Sequence, residues 1–320
     1  MMTEHDPSPE LIALDWGTSS LRAFLMAQRN VIDSRESRHG IQHLPSQGAL
    51  GYEQAFSELT GDWLSRWPAL PVVASGMVGS AQGWREAPYV KCPANIQTLA
   101  KHSSPLRTAN GTEIWIAPGV LYDEAATSPD VMRGEEIQIA GALSMNPAWS
   151  IRSCIVLPGT HSKWVFIENG KVVRFSTYMT GELFAVLRQH SILGRLMPPG
   201  DVADAAVAAD AFTLGLSTAQ VDKAALTNQI FGARTLGLTG RVPPAGLASY
   251  LSGLLIGHEI VSGLSWVSDL VATPLVVIGT PQLCERYKDA LSAMGCAVEA
   301  ALQNTAPAGL WSLADELRLL

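Results

Sequence analysis

A carboxylate, a glycine and three hydroxyl residues follow a short apolar segment near the start of the chain. Residues 11–14 predict a strand, Asp15 stands at its end, and residues 17–20 form a Gly-Thr-Ser-Ser turn. A carboxylate at a strand end can hold a hydrated Mg²⁺, and a glycine lets backbone N–H groups approach phosphate oxygens. We therefore predict that Asp15 holds a metal and takes part in catalysis. The predicted phosphate-binding residues are Gly17, Thr18, Ser19 and Arg22.

The same pattern of strand, glycine turn and strand recurs nearly half a chain later. Residues 154–157 and 163–167 predict the two strands, and residues 159–162 form the turn. An ordinary hairpin turn is the alternative for a single copy, and the second copy argues against it. Leu157 stands opposite Asp15, so the metal site is predicted in the first copy only. The phosphate-binding residues predicted here are Gly159, Thr160, His161, Ser162 and Lys163.

Three of the later candidates leave alternatives open. The seven histidines are scattered without ligand spacing, so we interpret His161 as a hydrogen-bonding residue rather than a zinc ligand. Lys163 is either a phosphate contact or a solvated strand residue. A glycine after the buried strand 275–278 lets a flat ligand such as adenine or ribose lie against the backbone, and packing is its alternative role. Gly279 and Thr280 are therefore predicted nucleotide contacts.

The elements that position these residues alternate between strands and helices, which indicates α/β layers. Further buried strands are predicted at residues 71–75 and 114–117. Helices are predicted at residues 132–144, 181–193, 247–262 and 283–293, and loops at 102–113, 122–130 and 197–204. The length and the repeat predict two lobes, residues 1–150 and 151–320, with the boundary near Ser150.

Composition limits the classes of protein that fit this chain. Of its 320 residues, 47% are apolar and 16% are charged, and the net charge of −7 includes no basic stripe, so a nucleic-acid partner is not expected. Scattered cysteines without a CxxC pair favour reduced thiols in the cytoplasm. Residues 1–10 are polar and acidic, and charges interrupt the apolar stretch 247–279. We therefore expect no signal peptide and no membrane span.

Several ordered sequence blocks lie at residues 14–23, 75–89, 131–136, 157–165, 179–183 and 251–257. Together these blocks resemble the 2-dehydro-3-deoxygalactonokinase family. The resemblance implies an actin-like ATPase fold, an α/β architecture of two ribonuclease-H-like lobes with ATP and Mg²⁺ in a central cleft. It implies transfer of the γ-phosphoryl group to the 6-hydroxyl of 2-dehydro-3-deoxy-D-galactonate, a step of galactonate catabolism. Pro281 departs from the family pattern at the adenosine turn.

The resemblance places the sugar site in the first lobe and the adenosine site in the second. Trp84 could line the sugar, and a core position is its alternative. Arg85, Lys91, Arg133 and Lys163 are the basic candidates for the substrate carboxylate. Glu182 could bind a sugar hydroxyl or complement a helix dipole. The predicted substrate-binding residues are Gly76, Met77, Gly79, Ser80, Trp84, Arg133 and Glu182.

The catalytic base is predicted in the pair Glu135 and Glu136, with Glu136 preferred. Adjacent helical residues point about 100° apart, so one of the two should face the substrate. The alternative is that both glutamates only favour a helix N-terminus.

Glycine followed by paired glutamates also resembles exopolyphosphatases, which leaves a phosphohydrolase open as a second function. A kinase for a related sugar acid and a non-catalytic nucleotide-dependent regulator stay open as well. The predicted partner is a small sugar acid, and a homodimer is left open.

Overall fold

The computed structural model describes residues 8–125, 128–200, 204–223, 225–267 and 273–320. Parts of the predicted N-terminal tail, of two predicted loops and of the apolar stretch 247–279 lie outside the described residues.

The strands are β1 (Leu11–Trp16), β2 (Leu21–Ala27), β3 (Asn30–Ser37), β4 (Val72–Gly76), β5 (Tyr89–Lys91), β6 (Ser104–Arg107), β7 (Glu113–Ile116), β8 (Gly119–Tyr122), β9 (Asp130–Met132), β10 (Arg152–Leu157), β11 (Ser162–Glu168), β12 (Lys171–Tyr178), β13 (Leu275–Ile278) and β14 (Ala300–Leu302). The α-helices are α1 (Gly48–Arg66), α2 (Ile96–Lys101), α3 (Glu135–Met145), α4 (Thr180–His190), α5 (Ala205–Val221), α6 (Leu226–Leu238), α7 (Leu247–Leu264), α8 (Pro281–Ala293) and α9 (Ala306–Glu316).

The two larger sheets repeat one strand order. The first has the order β3-β2-β1-β4-β7-β6, the second has β12-β11-β10-β13-β14, and a small sheet has β5-β8-β9. β1 pairs antiparallel with β2 and parallel with β4, while β10 pairs parallel with β13. Each glycine turn therefore follows a strand that has a parallel neighbour. The matching orders confirm the internal repeat that the sequence predicts.

The chain divides into two compact units. Unit 1 runs to Arg152 and also takes Phe166–Phe175 and Asn304–Leu320, whereas unit 2 consists of Ser153–Val165 and Ser176–Gln303. The sequence predicts two contiguous lobes, residues 1–150 and 151–320. The structure differs because Phe166–Phe175 and Asn304–Leu320 belong to unit 1. Asn304–Leu320 belongs to unit 1 because its helix α9 packs on α3.

α9 and α3 approach each other closely in unit 1. A Cβ at Gly141 would lie 2.0 Å from the Thr305 carbonyl oxygen, and one at Gly309 would lie 1.9 Å from the Ile137 carbonyl oxygen. Thr305 Oγ1 donates to the Gln138 carbonyl oxygen at 2.7 Å. Only glycine permits helix backbones to come this close, so α9 supports the helix that begins with the paired glutamates.

β1 is buried at every position because it lies between two strands and is covered on both faces. Its even-numbered residues share an apolar cluster with Phe56 and Trp63 of α1. Side chains alternate between the faces of a strand, so Asp15 projects from the opposite face. The sequence of β1 thus fixes the direction of the one carboxylate it carries.

α7 is the central helix of unit 2. A Cβ at Gly253 would lie 2.1 Å from the Phe212 carbonyl oxygen, and one at Gly257 would lie 2.7 Å from Ala219 Cβ, so these glycines let α7 pack tightly on α5. Among the described residues, Pro244–Leu264 is long and apolar enough to cross a membrane by composition, and 67% of its most apolar window is buried. That degree of burial is typical of a core helix.

The predicted strands and helices agree with the structure except at three places. The helix predicted at residues 181–193 ends at His190. The loop predicted at residues 102–113 is wrong, because β6 forms there and pairs antiparallel with β7. The helix predicted from Met132 begins later, at Glu135, since Met132 pairs with Val120 in the small sheet and Gly134 has φ of +107°. A positive φ stops a right-handed helix from extending further toward its N-terminus.

Candidate active site

Asp15 lies at the end of β1, where it is 9% exposed. Its Oδ2 accepts a hydrogen bond of 2.5 Å from Arg22 Nη2, and the two residues face each other in the β1–β2 register. Burial raises the pKa of the Asp15 carboxyl above its ordinary value, and the charge of Arg22 opposes that rise. Arg22 therefore stabilises the ionised carboxylate of Asp15. Its predicted contact with phosphate stays a prediction.

The first turn, residues 17–20, is fastened by a segment that the sequence analysis did not single out. Backbone N–H groups of Ile41 and Gln42 donate to the carbonyl oxygens of Gly17 and Thr18, both at 3.1 Å. A Cβ at Gly40 would lie 2.4 Å from the backbone of Ser19, so glycine is required for this close approach. Gly40 lies between His39 and Ile41, and this local sequence does not predict such a contact.

The first turn has backbone donors to offer. Within the described part of the chain, the N–H groups of Thr18 and Ser19 donate to no protein acceptor. Gly17 N–H is used inside the turn, where it donates to the Ser20 carbonyl oxygen at 2.9 Å. Unused N–H groups at a glycine turn are the groups that bind phosphate oxygens in other proteins.

The second turn, residues 159–162, has an open face. An ideal Cβ at Gly159 would meet no described atom within 4 Å, and the N–H groups of Thr160 and His161 find no acceptor in the described ranges. The start of α4 packs against the turn, because Glu182 N donates to the Thr160 carbonyl oxygen at 3.0 Å. These features fit a phosphate-bearing ligand at this turn.

Side chains around the second turn are engaged in specific contacts. His161 Nε2 lies 2.5 Å from Glu182 Oε2, which agrees with a hydrogen-bonding His161 and groups Glu182 with this turn. Lys163 is only 5% exposed, so the interpretation of it as a solvated strand residue is wrong. Its Nζ donates to the His161 carbonyl oxygen at 3.4 Å. The predicted contact of Glu182 with sugar stays a prediction.

Gly279 lies beside the second turn in unit 2. A Cβ there would contact Pro158 at an ordinary 3.6 Å, and Thr280 Oγ1 accepts from Leu283 N at 3.4 Å as the N-cap of α8. Pro281 occupies the first position of α8, where a missing N–H costs nothing. The proline that departs from the family pattern is thus compatible with the predicted adenosine turn.

Three segments of unit 1 converge near Asp15. Ser75 pairs with Asp15 in the parallel register of β1 and β4. Gly76 has φ of +93°, and an added Cβ would lie 2.7 Å from the Trp16 carbonyl oxygen. A Cβ at Gly134 would lie 3.4 Å from Gly76 Cα, so the start of α3 rests on the end of β4. Both glycines are required where these backbones meet.

The paired glutamates face different surroundings. Glu135 is half-buried, and its negative charge is among the influences that raise the pKa of Asp15, so it lies near that carboxylate. Glu136 is 2% exposed, and its Oε2 accepts from Gly134 N at 2.7 Å. Burial, followed by the charge of Glu135, raises the pKa of Glu136 to about 8.

Arg133 is held in place beside the substrate candidates. Its Nη2 donates to the Ala87 carbonyl oxygen at 2.9 Å, and its guanidinium lies 4.4 Å from the centre of the Tyr89 ring. A Cβ at Gly79 would lie 3.0 Å from Nη1. Buried polar atoms that find no partner among the described residues are Ser75 Oγ, Ser80 Oγ, Arg133 Nε, Arg133 Nη1 and Glu136 Oε1. Buried polar groups are nearly always hydrogen bonded, so this cluster indicates a ligand or water.

The matches with known proteins identify the class of this site. Residues 15–313 match the family model described as 2-keto-3-deoxy-galactonokinase. The chain belongs to this family. It is 39% identical over 306 residues to the 2-dehydro-3-deoxygalactonokinase of Escherichia coli (strain K12), with 95% of this chain and 97% of that protein covered. It is therefore a phosphotransferase of sugar metabolism, and the phosphohydrolase alternative is not favoured.

Solved structures support the same fold for this 2-keto-3-deoxy-galactonokinase family member. A crystal structure from Sinorhizobium meliloti, described as a candidate 2-dehydro-3-deoxygalactonokinase, gives a TM-score of 0.83 at 32% identity and covers 97% of this chain and 100% of that chain. The activator of the 2-hydroxyisocaproyl-CoA dehydratase from Clostridium difficile with bound ADPNP gives 0.50 at 10% identity, with 96% of both chains covered. The predicted actin-like ATPase fold is confirmed.

A metal site in this kinase would depend on few protein ligands. Among the described residues, no group of three or more His, Cys, Asp or Glu side chains could hold a metal ion. Mg²⁺ usually keeps several waters and binds through one or two carboxylates plus substrate phosphates. Asp15, a single buried carboxylate next to a turn with unused N–H groups, fits that donor set.

Trp84 and Met77 are the aromatic and apolar candidates for sugar binding. Trp84 stacks on Tyr52 with ring centres 5.6 Å apart and lies 5.8 Å from Trp16, so it is part of an aromatic cluster of the core. Met77 begins a short 3-10 helix after Gly76. Their contacts with sugar stay predictions.

Proposed function

We propose that the protein transfers the γ-phosphoryl group of ATP to the 6-hydroxyl of 2-dehydro-3-deoxy-D-galactonate. The products are ADP and 2-dehydro-3-deoxy-6-phospho-D-galactonate, in galactonate catabolism. The observation that carries the proposal is the meeting of Asp15, Gly76 and the first turn of α3 in a chain of this kinase family. That meeting brings together a candidate metal ligand and a candidate base, and the partly buried Arg133 lies just before α3.

Each glycine turn, taken by itself, would bind phosphate oxygens of ATP. The unused N–H groups of Thr18, Ser19, Thr160 and His161 support binding of its phosphates. Gly279 and Thr280, beside the second turn, would receive the adenosine. Asp15 would hold Mg²⁺, which when bound neutralises charge on the transferring phosphoryl group.

Glu135 would accept the proton from the 6-hydroxyl as its oxygen bonds to phosphorus and the bond to the ADP oxygen breaks. Phosphoryl transfer requires a carboxylate near the attacking oxygen, and Glu135 lies near Asp15. Each glutamate accepts one backbone N–H, Glu135 from Arg133 and Glu136 from Gly134. Glu136 is the weaker candidate, since it is 2% exposed and its pKa of about 8 leaves it mainly protonated at neutral pH. The structure therefore supports reversing the preference between the two.

Arg133 would bind the carboxylate of the sugar acid. Its Nε and Nη1 are buried without a partner among the described residues, and an N–H group of a guanidinium forms a charge-assisted hydrogen bond with a carboxylate. Ser75 and Ser80, whose hydroxyls are likewise unpartnered there, would bind sugar hydroxyls. Arg85, Lys91 and Lys163 have no comparable support as carboxylate partners.

A coupled assay of ADP release tests the proposal. The purified protein is given ATP, Mg²⁺ and either 2-dehydro-3-deoxy-D-galactonate, its gluconate epimer or D-galactonate, and phosphate release from polyphosphate is measured in parallel. We expect ADP release that depends on the galactonate compound and a product phosphorylated at the 6-hydroxyl. Faster turnover of the epimer would change the substrate, and phosphate release without a sugar acid would refute the kinase.

A further inference from the structure

A buried carboxyl lies in unit 2 among the elements that support the second turn. Glu259 is on the apolar helix α7 and is 2% exposed. Its Oε1 accepts from Trp164 Nε1 at 2.9 Å, and its Oε2 accepts from the Tyr287 hydroxyl at 2.8 Å. Burial raises the pKa of this carboxyl, and hydrogen bonds from Thr180, Trp164, Tyr287 and Ser162 oppose the rise. A carboxyl in such a place is costly unless its acceptors are satisfied.

The hydrogen bonds of Tyr287 determine which hydroxyl groups donate and which accept between the second turn and Glu259. Tyr287 has one hydroxyl proton, and it goes to Glu259. The Tyr287 oxygen lies 3.1 Å from Ser162 Oγ, and the one hydroxyl proton of Ser162 is directed either to Tyr287 or to Glu259 itself. The lone pairs of Ser162 then face the Gly159 N–H, which is 3.4 Å away. Every donor in this series therefore points from the second turn toward Glu259.

The same carboxyl also reaches the turn through α4. Thr180, the first residue of α4, hydrogen bonds to Glu259. A Cβ at Gly181 would lie 2.4 Å from the Gly159 carbonyl oxygen, so the start of α4 rests directly on the turn. Glu259 is thus joined to the turn from two sides, by Ser162 through Tyr287 and by the helix start.

We propose that Glu259 is a positioning residue that holds the backbone of the second turn in its phosphate-binding form, acting through Tyr287 and Ser162. The inference rests on the proposed binding of ATP phosphates by this turn. A carboxylate only accepts hydrogen bonds, whereas a glutamine amide also donates. Glu259→Gln keeps the size of the side chain and removes the constraint that orders the hydroxyls. Tyr287→Phe keeps Glu259 and removes the connection through the Tyr287 hydroxyl.

The experiment compares three variants with a shared readout. Glu259→Gln and Tyr287→Phe are measured beside Tyr250→Phe, the matched control. Tyr250 is a buried tyrosine of α7, and its hydroxyl hydrogen bonds to Thr218 of α5. This hydrogen bond does not involve a residue of the second turn. For each variant, KM for ATP, KM for the sugar acid, kcat and the thermal midpoint are determined, with ADP affinity from calorimetry.

We expect KM for ATP and Kd for ADP to rise about tenfold in both Glu259→Gln and Tyr287→Phe, which corresponds to the loss of about one net hydrogen bond. KM for the sugar acid should stay within about twofold, and the double variant should be no worse than either single one. Tyr250→Phe should lower the thermal midpoint and leave both KM values unchanged.

A loss of stability with wild-type KM for ATP and wild-type ADP affinity in Glu259→Gln and Tyr287→Phe would overturn the positioning role while leaving the kinase intact. A wild-type protein that binds neither ATP nor ADP would overturn the proposed function and this inference together. The calorimetric arm keeps the two failures apart, because it needs no sugar acid.

Discussion

The two glycine turns occupy the same place in their sheets but are stabilised in different ways. The first turn is held by hydrogen bonds from the backbone of residues 41 and 42 and follows a strand whose penultimate residue is Asp15. The second follows Leu157 and is supported by side chains that lead to the buried Glu259. A duplicated hairpin has thus kept its shape twice, while only one copy has the carboxylate that metal chemistry requires. Variants of each copy should therefore fail differently.

Removal of the Asp15 charge should lower turnover more than any other single change. We expect Asp15→Asn to lower kcat about a thousandfold, because the transferring phosphoryl group loses the charge that holds its metal. The fold should persist, since Asn can still accept from Arg22 and burial disfavours the charge at this site. Steady-state kinetics and thermal unfolding test this. Near wild-type turnover would remove Asp15 from the mechanism.

The adjacent glutamates sharpen the chemistry assigned to the first copy. Glu135→Gln should lower kcat about a hundredfold with little change in KM, as expected for loss of a general base. Glu136→Gln is its matched control and should keep nearly normal kcat, because Glu136 is buried and mainly protonated at neutral pH. The reverse ranking in the kinetics would restore Glu136 as the base.

Added methyl groups compare the two turns directly. Gly159→Ala has open space for a Cβ, and in Gly17→Ala the nearest atom is the Ser20 carbonyl oxygen at 3.6 Å, so neither should lose stability. Both should raise KM for ATP about tenfold if phosphates lie against each turn. An effect of Gly17→Ala alone would confine phosphate binding to the first turn.

The pH dependence of stability should report on Glu136. Its pKa is raised from 4.5 to about 8 in the fold, so its contribution is complete below pH 4.5 and is lost as the pH rises through about 8. Between pH 5 and pH 8, wild type should therefore lose about 3 to 4 kcal/mol more unfolding free energy than Glu136→Gln. Urea denaturation of both proteins at the two pH values measures this. Equal losses would mean that Glu136 titrates normally.

Much of this arrangement could be predicted because it is local in sequence. Apolar runs that end in a glycine turn identify β1 and β10, and their similarity predicts two sheets of one order. The predicted nucleotide residues of the second turn and Gly279 do lie together, since β10 and β13 are parallel neighbours. The local sequence pattern was sufficient to predict the position of a site residue wherever that residue lies in a strand or directly follows it.

The misses depend on contacts between distant residues. β6 contains Pro105 and exists through its pairing with β7, so propensity alone does not reveal it. Gly40 acquires its role only when the chain folds back on Ser19. Glu259 did have a signal, a lone carboxyl in an apolar helix, but the sequence analysis used it only to argue against a membrane span. Nothing local shows that Tyr287 would meet it.

The packing of α9 on α3 has a consequence for synthesis on the ribosome. All of unit 2 has been translated before residues 304–320 emerge, so the partner of α3 is the last part of unit 1 to arrive. A nonsense mutation at codon 304 would leave the sequence of unit 2 whole. It would also strip the cover from Gly141, on the helix whose first turn carries both glutamates.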